Sequence, residues 1–152
     1  RAQTCSASLR PRRRRRRRRT THAQDPRTII TMAASAAALE RLTRALKDAQ
    51  KRPENRRCAD CEAKAPNYCQ LMYKTFICQN CAAVHRELYG PSKIKSVSMA
   101  VFTMDEVKAM RAGGNEAARA TWLARWTPRD HPEPHAGASR LDIRRFLEEK
   151  YE

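Results

Sequence analysis

No run of about 20 apolar residues occurs anywhere in the 152-residue chain, so no segment reads as a bilayer-spanning helix, and any membrane contact would be peripheral. Acidic residues are scarce too: 16 Asp+Glu stand against 32 Lys+Arg, a formal charge of +16 that favours an anionic partner without naming one. The shortage is uneven. Residues 1–31 hold eleven arginines, Arg12 to Arg19 consecutively, against the single acid Asp25, whereas the remaining 121 residues keep 21 Lys+Arg and 15 Asp+Glu. Eight adjacent guanidinium groups repel one another and leave no apolar face to bury, so residues 1–31 are expected to be disordered. The first methionine is Met32, and the preceding segment is read as sequence outside the native protein. A transit peptide and a nucleic-acid-binding or nuclear-import tail are the alternatives. No internal repeat is present.

Unpaired cysteines are few. Cys5 and Cys69 stand alone, while Cys58-Ala-Asp-Cys61 and Cys78-Gln-Asn-Cys81 form two C-x-x-C pairs separated by sixteen residues. Each pair delivers two soft thiolates from one tight turn, and the intervening segment is long enough to fold back, so the four can close a tetrahedron around one zinc ion. A redox role for either pair is the weaker alternative. With all four positions filled by protein, the metal would organise structure and leave no open site for chemistry. Thiolate ligands argue against secretion and for a cytoplasmic or nuclear protein. Cys69 reads as a lone buried thiol.

Around this centre the pattern predicts a helix from Ala33 to Pro53 with Leu39, Leu42, Leu46 and Ala49 on one stripe, then a strand over Tyr73–Ile77 delivering Cys78. A two-turn helix carries Cys81 and stops at Gly90-Pro91. Alternation of Val97, Met99 and Val101 predicts a half-buried strand, with Phe102 in the core. Thr103 and Glu106 form a capping box for a helix that turns Met104, Val107 and Met110 inward and ends at Gly113-Gly114. Asn115 is expected to cap a helix from Glu116 to about Arg125, with Ala118, Trp122 and Trp126 on an apolar face. Ser139 opens a last helix that packs through Leu141, Phe146, Leu147 and Tyr151. His131 and His135 read as solvated loop residues.

A DNA-reading zinc finger would offer several cationic donors on the helix after the second pair, and here only Arg86 is firmly cationic. The runs C-A-D-C, Pro66-Asn67-Tyr68, Thr75 to Cys78, Cys81-x-x-Val84-His85-Arg86 and Lys95 to Met99, continued by Phe102 and Gly114-Asn115, resemble the Arf GAP zinc domain over about residues 38–152. The likeness is greatest to its plant-type and AGFG-like branch. The resemblance implies an α+β fold, a small zinc-stabilised domain over 32–152 with a short sheet of at most three strands surrounded by helices. It implies one structural Zn2+ on Cys58, Cys61, Cys78 and Cys81, and Arg86 as the arginine finger that reaches the nucleotide of an Arf-family small GTPase in its GTP-bound state. Tyr68, His85 and Lys95 would face that partner. The protein would activate a partner's hydrolysis in vesicle trafficking, at Golgi or endosomal membranes, and would not itself be an enzyme. The rival readings are a zinc-stabilised trafficking adaptor without activity and a nucleic-acid-binding zinc finger protein. Tyr68 stands where the family has tryptophan, Ala82-Ala83 where it has Ser-Gly, and Glu62 and Lys74 at positions often held by glycine.

Overall fold

Extended structure forms where aromatic and β-branched residues break into otherwise polar loops. The computed structural model describes residues 26–127 and 132–151, with side chains from Ser35 onward. The arginine run Arg12–Arg19, the expected tail function and His131 lie outside the described residues. Strands β1 (Tyr68–Gln70), β2 (Thr75–Ile77) and β3 (Ile94–Ser96) form an antiparallel sheet in the order β2-β1-β3. The helices are α1 (Pro26–Gln50), α2 (Gln79–Tyr89), α3 (Met104–Ala112), α4 (Asn115–Trp122) and α5 (Arg140–Tyr151). Among the described residues no helix is long and apolar enough to cross a membrane.

Side chains alternate across a strand, so this small sheet has two buried faces. Cys69, Phe76 and Val97 pack with Leu46 and Ala49 of α1 and Val107 and Met110 of α3. Ile77 and Ile94 pack on the other side with Ala82 and Val84 of α2, Ile143, Phe146 and Leu147 of α5, and Cys58, Cys61 and Cys81. The C-x-x-C cysteines therefore sit at one core and Cys69 within the other, which sets Cys69 apart from their cluster. Burial pushes the Cys69 thiol well above its ordinary range.

Several local expectations hold. Thr103 Oγ1 accepts from Glu106 N at 3.2 Å while Glu106 Oε2 accepts from Thr103 N at 2.8 Å, the reciprocal box read from the sequence. Ser139 Oγ accepts from Asp142 N at 3.2 Å at the start of α5. His135 is exposed.

Others are corrected. Helix α1 starts at Pro26 rather than Ala33. The strand expected over 97–101 lies earlier, at Ile94–Ser96: β1 offers only three residues to pair, and the Ala100 N–H turns back onto Ser96 O at 3.1 Å. Val97 is buried, but Met99 is 88% exposed and Val101 67%. Met104, at the first position of α3, and Leu141 both point to solvent, and Ile143 takes the core position instead. Helix α4 ends at Trp122, so Trp126 meets the Phe146 ring edge-on at 5.2 Å from outside the helix.

Asn115 does not cap α4. The cap position is Gly114, and Asn115 turns its amide onto the free edge of β2, accepting from Phe76 N at 2.7 Å and donating to Phe76 O at 3.1 Å. That side chain, together with the Ala59 N–H that also meets Phe76 O at 3.0 Å, fills the edge where no strand pairs, and Asn55 accepts from the Asn115 N–H at 2.8 Å. Lys74 and Glu62 have φ of 56° and 57°, the left-handed region that explains why glycine suits both positions. A Cβ on Gly113 would sit 2.7 Å from the Lys74 Cβ. Gly113→Ala is therefore expected to cost about 1–3 kcal/mol in urea unfolding, and Lys74→Gly in the same chain should recover part of that loss.

Candidate metal centre and arginine face

Two turns carry the sulfurs. The first is closed by Cys58 N–H to Ala63 O at 2.8 Å and by an isolated antiparallel bridge between Arg57 and Lys64. The second is the start of α2, where Cys78 occupies the cap position and its Sγ accepts from Cys81 N at 3.5 Å. Cys78 N–H in turn donates to Cys58 Sγ at 3.2 Å, tying one turn to the other. All four Sγ atoms lie within 4.8 Å of one another, and Cys61 and Cys78 are 3.5 Å apart. Sulfurs bound about 2.3 Å from a tetrahedral ion stand about 3.8 Å apart, so this donor set fits a metal of that class. Burial pushes the Cys58 thiol well up, and the hydrogen bond from Cys58 holds Cys61 and Cys78 down. Four enclosed sulfurs cannot all ionise without a cation among them.

Between the first two cysteines, Asp60 is fully buried. Its Oδ2 accepts from His85 Nε2 at 2.9 Å, and its Oδ1 from Lys150 Nζ at 2.9 Å and Tyr151 OH at 3.1 Å. Lys150 Nζ also donates to Ala59 O at 2.8 Å. Burial alone would raise the Asp60 carboxyl, but the Lys150 charge and the His85 hydrogen bond hold it well below the usual carboxylate range. Gln70 Oε1 accepts from Met72 N at 3.2 Å, which leaves the Gln70 amide nitrogen facing His85 Nδ1 at 3.2 Å. His85 is thus held between the Gln70 amide on Nδ1 and the Asp60 carboxylate on Nε2. Tyr73 stacks on Tyr151 with ring centroids 3.8 Å apart, sealing the network from above.

This geometry separates the residues expected on the partner face. His85 is fully buried and cannot touch a partner; its role is to fix the rotation of α2. Lys95 lies on the α3 side of the sheet with both ends of its charge committed, Nζ meeting Glu106 at 2.7 and 2.8 Å and Val101 O at 3.1 Å. Tyr68 is half-buried on the α2 side, and the Arg86 guanidinium lies 4.9 Å from its ring centroid. Arg86 is half-exposed and enters no ion pair among the described residues, because the adjacent Glu87 pairs with Arg140 instead. Of the two alanines after Cys81, Ala82 is buried in the core and only Ala83 reaches the surface.

Sequence reasoning missed Asp60, Gln70, Lys150 and Tyr151 as one network. The only available signal was an acid inside a C-x-x-C turn, where a buried carboxylate requires a cation from elsewhere.

The family profile described as "Putative GTPase activating protein for Arf" matches residues 43–152. Arf-GAP domain and FG repeat-containing protein 1 of Homo sapiens is 34% identical over 123 residues, 80% of this chain. The probable ADP-ribosylation factor GTPase-activating protein AGD14 of Arabidopsis thaliana is 35% identical over 121 residues, 79% of this chain. The chain spans 22% and 18% of the lengths of these two relatives. Among solved structures, the ArfGap domain of HIV-1 Rev binding protein superposes with a TM-score of 0.71 at 32% identity, covering 79% of this chain and 90% of that one.

Lys150→Met should lower stability by about 3–5 kcal/mol in denaturant unfolding, since it strands the Asp60 charge, and adding Asp60→Asn should restore part of it. Glu106 offers a pH test. Burial would raise its carboxyl, but the Lys95 hydrogen bond and the Thr103 N–H hold it below the ordinary glutamate range. A depressed native value stabilises the fold above the ordinary range and loses that effect as pH falls through the native value. Thermal unfolding should therefore show Glu106→Gln about 1 kcal/mol weaker at pH 7, with the gap closing as pH falls from the ordinary glutamate range through the lowered native value.

Proposed function

The chain belongs to the ArfGap family, and from that premise we propose that it stimulates GTP hydrolysis by an Arf-family small GTPase through Arg86. The observation that carries this is the state of Arg86: half-exposed, held by α2 against Tyr68 at 4.9 Å, and free of acidic partners among the described residues. A planar, permanently charged guanidinium so placed can approach a bound nucleotide and stabilise the negative charge that spreads over the transferred phosphoryl group. The partner supplies the water and the magnesium ion.

Cys58, Cys61, Cys78 and Cys81 hold one zinc ion in this reading, and its contribution is structural: it crosslinks the first turn to the start of α2. Asp60 then fixes His85, and the next residue on the helix is Arg86. Stacking on Tyr68 limits the rotamers of a long side chain before the partner arrives, which lowers the entropy lost on docking. In this reading the domain acts in the cytoplasm on GTP-bound partners at Golgi or endosomal membranes.

Single-turnover hydrolysis by GTP-loaded Arf-type proteins tests the proposal. Zinc-loaded wild type should stimulate, and Arg86→Ala should reduce the stimulated rate by about 10³-fold or more with zinc content and fold unchanged. Equal stimulation by the two proteins would remove Arg86 from the mechanism, and no stimulation by folded wild type would favour an adaptor role.

A further inference from the structure

Beyond the arginine face, a cleft of about 640 Å3 opens between the C-terminus of α1 and the first cysteine turn. Lys51, Arg56, Arg57 and Lys64 line it, and no acid does. Neighbouring clefts carry both signs of charge. One sets Arg56, Arg57 and Arg119 against Glu54, Glu62 and Glu116. The other sets Arg44, Lys47 and Lys51 against Glu40 and Asp48. The cations of the larger cleft are largely uncommitted: Lys51, Arg56 and Lys64 enter no ion pair among the described residues, and Arg57 meets Glu62 only at 3.5 Å with both side chains mostly exposed.

The fold brings these charges together at an electrostatic cost. The Arg57–Lys64 bridge and the Ala65 N–H to Arg56 O bond at 3.0 Å close a loop, with Ala65 at φ 54°, that returns Lys64 to the end of α1. Gln50 Nε2 donates to Pro66 O at 2.5 Å and holds that loop against the helix. Arg56 Nε donates to Lys51 O at 3.2 Å, and a helix C-terminus carries only about half a negative charge, so capping accounts for one cation and not for four. Asn55 and Gln50 spend their amides within the fold, so the cleft presents charge rather than neutral donors.

We infer that this cleft binds a compact polyanion of clustered phosphomonoesters, the chemistry of an inositol polyphosphate, whether free or as a lipid headgroup. Its size suits a small ligand, and Arg56 and Arg57 offer forked donors that match phosphate oxygens. No aromatic side chain lines it for base stacking, which disfavours single-stranded nucleic acid. Pro66 on its wall precedes Tyr68 by two residues, about 7 Å of extended chain, so a headgroup in the cleft would hold the Arg86 face beside the membrane. Binding is read directly and stands or falls apart from GTPase stimulation.

The test is calorimetric titration of the zinc-loaded full chain with inositol hexakisphosphate, alongside co-sedimentation with phosphatidylcholine vesicles with and without a few per cent phosphatidylinositol bisphosphate. Lys51→Glu/Lys64→Glu is compared with the charge-matched Lys108→Glu/Arg145→Glu; residues 1–31 are common to both, so the arginine run is fitted as a separate class of sites and the difference between the variants reports the cleft. The site variant should bind about tenfold or more weakly and the control within about twofold of wild type, with zinc content and circular dichroism unchanged in both. Vesicle binding displaced by the soluble anion identifies a lipid ligand, and binding of the soluble anion alone identifies a free one. Equal losses in the two double variants, or no binding of either probe by folded wild type, would overturn the site.

Discussion

A single buried carboxylate holds three distant parts of this chain in register. Asp60 lies inside the first cysteine turn, accepts from His85 on α2, and accepts from Lys150 and Tyr151 at the end of α5. A charge taken out of water this completely is tolerated only when its lone pairs are filled and an opposite charge is close. That requirement ties α5 to the cysteine cluster, although some ninety residues separate Lys150 from Asp60 in sequence. Four converging sulfurs impose a second constraint on the same turn, and together they give the small domain the rigidity that its apolar area alone would supply only weakly.

The placement of the proposed arginine face follows from that rigidity. His85 and Arg86 are neighbours on α2 with opposite fates, one fully buried and the other half-exposed over Tyr68. A helix rotated by a fraction of a turn would bury the guanidinium or expose the imidazole, so the hydrogen bonds on His85 set where Arg86 points. Two helical layers on one three-stranded sheet also divide the labour. The side facing α2 and α5 carries the cysteines and Arg86, and the side facing α1 and α3 carries Cys69 and the Lys95–Glu106 pair.

Non-glycine residues in left-handed turns mark where this chain accepts local strain. Glu62 and Lys74 sit beside the first cysteine turn and before β2, and each needs a conformation that glycine adopts freely. Gly113 and Gly114 take up the consequence, one leaving room for the Lys74 side chain and the other lying against Asn55 while its N–H meets Lys74 O at 3.0 Å. Asn115 then completes the β2 edge that no strand covers.

Features that depend on neighbours in sequence were legible from it. The two C-x-x-C pairs, the Thr103–Glu106 box, the Ser139 start of α5 and the stop at Gly90 each arise from atoms a few residues apart, where covalent geometry dictates the outcome. The α+β class and the family followed from such motifs taken together. What only the tertiary structure decided is which groups from remote segments meet: Lys150 on Asp60, Asn115 on β2, Lys95 on Glu106, and His85 in the core rather than on the surface. Periodicity cannot distinguish those fates, because an alternating or helical pattern says which residues share a face but not what covers it. Met99 and Val101 carry the pattern of a buried strand and stand in solvent, because β1 begins at Tyr68, already opposite Ser96, and offers them no partner.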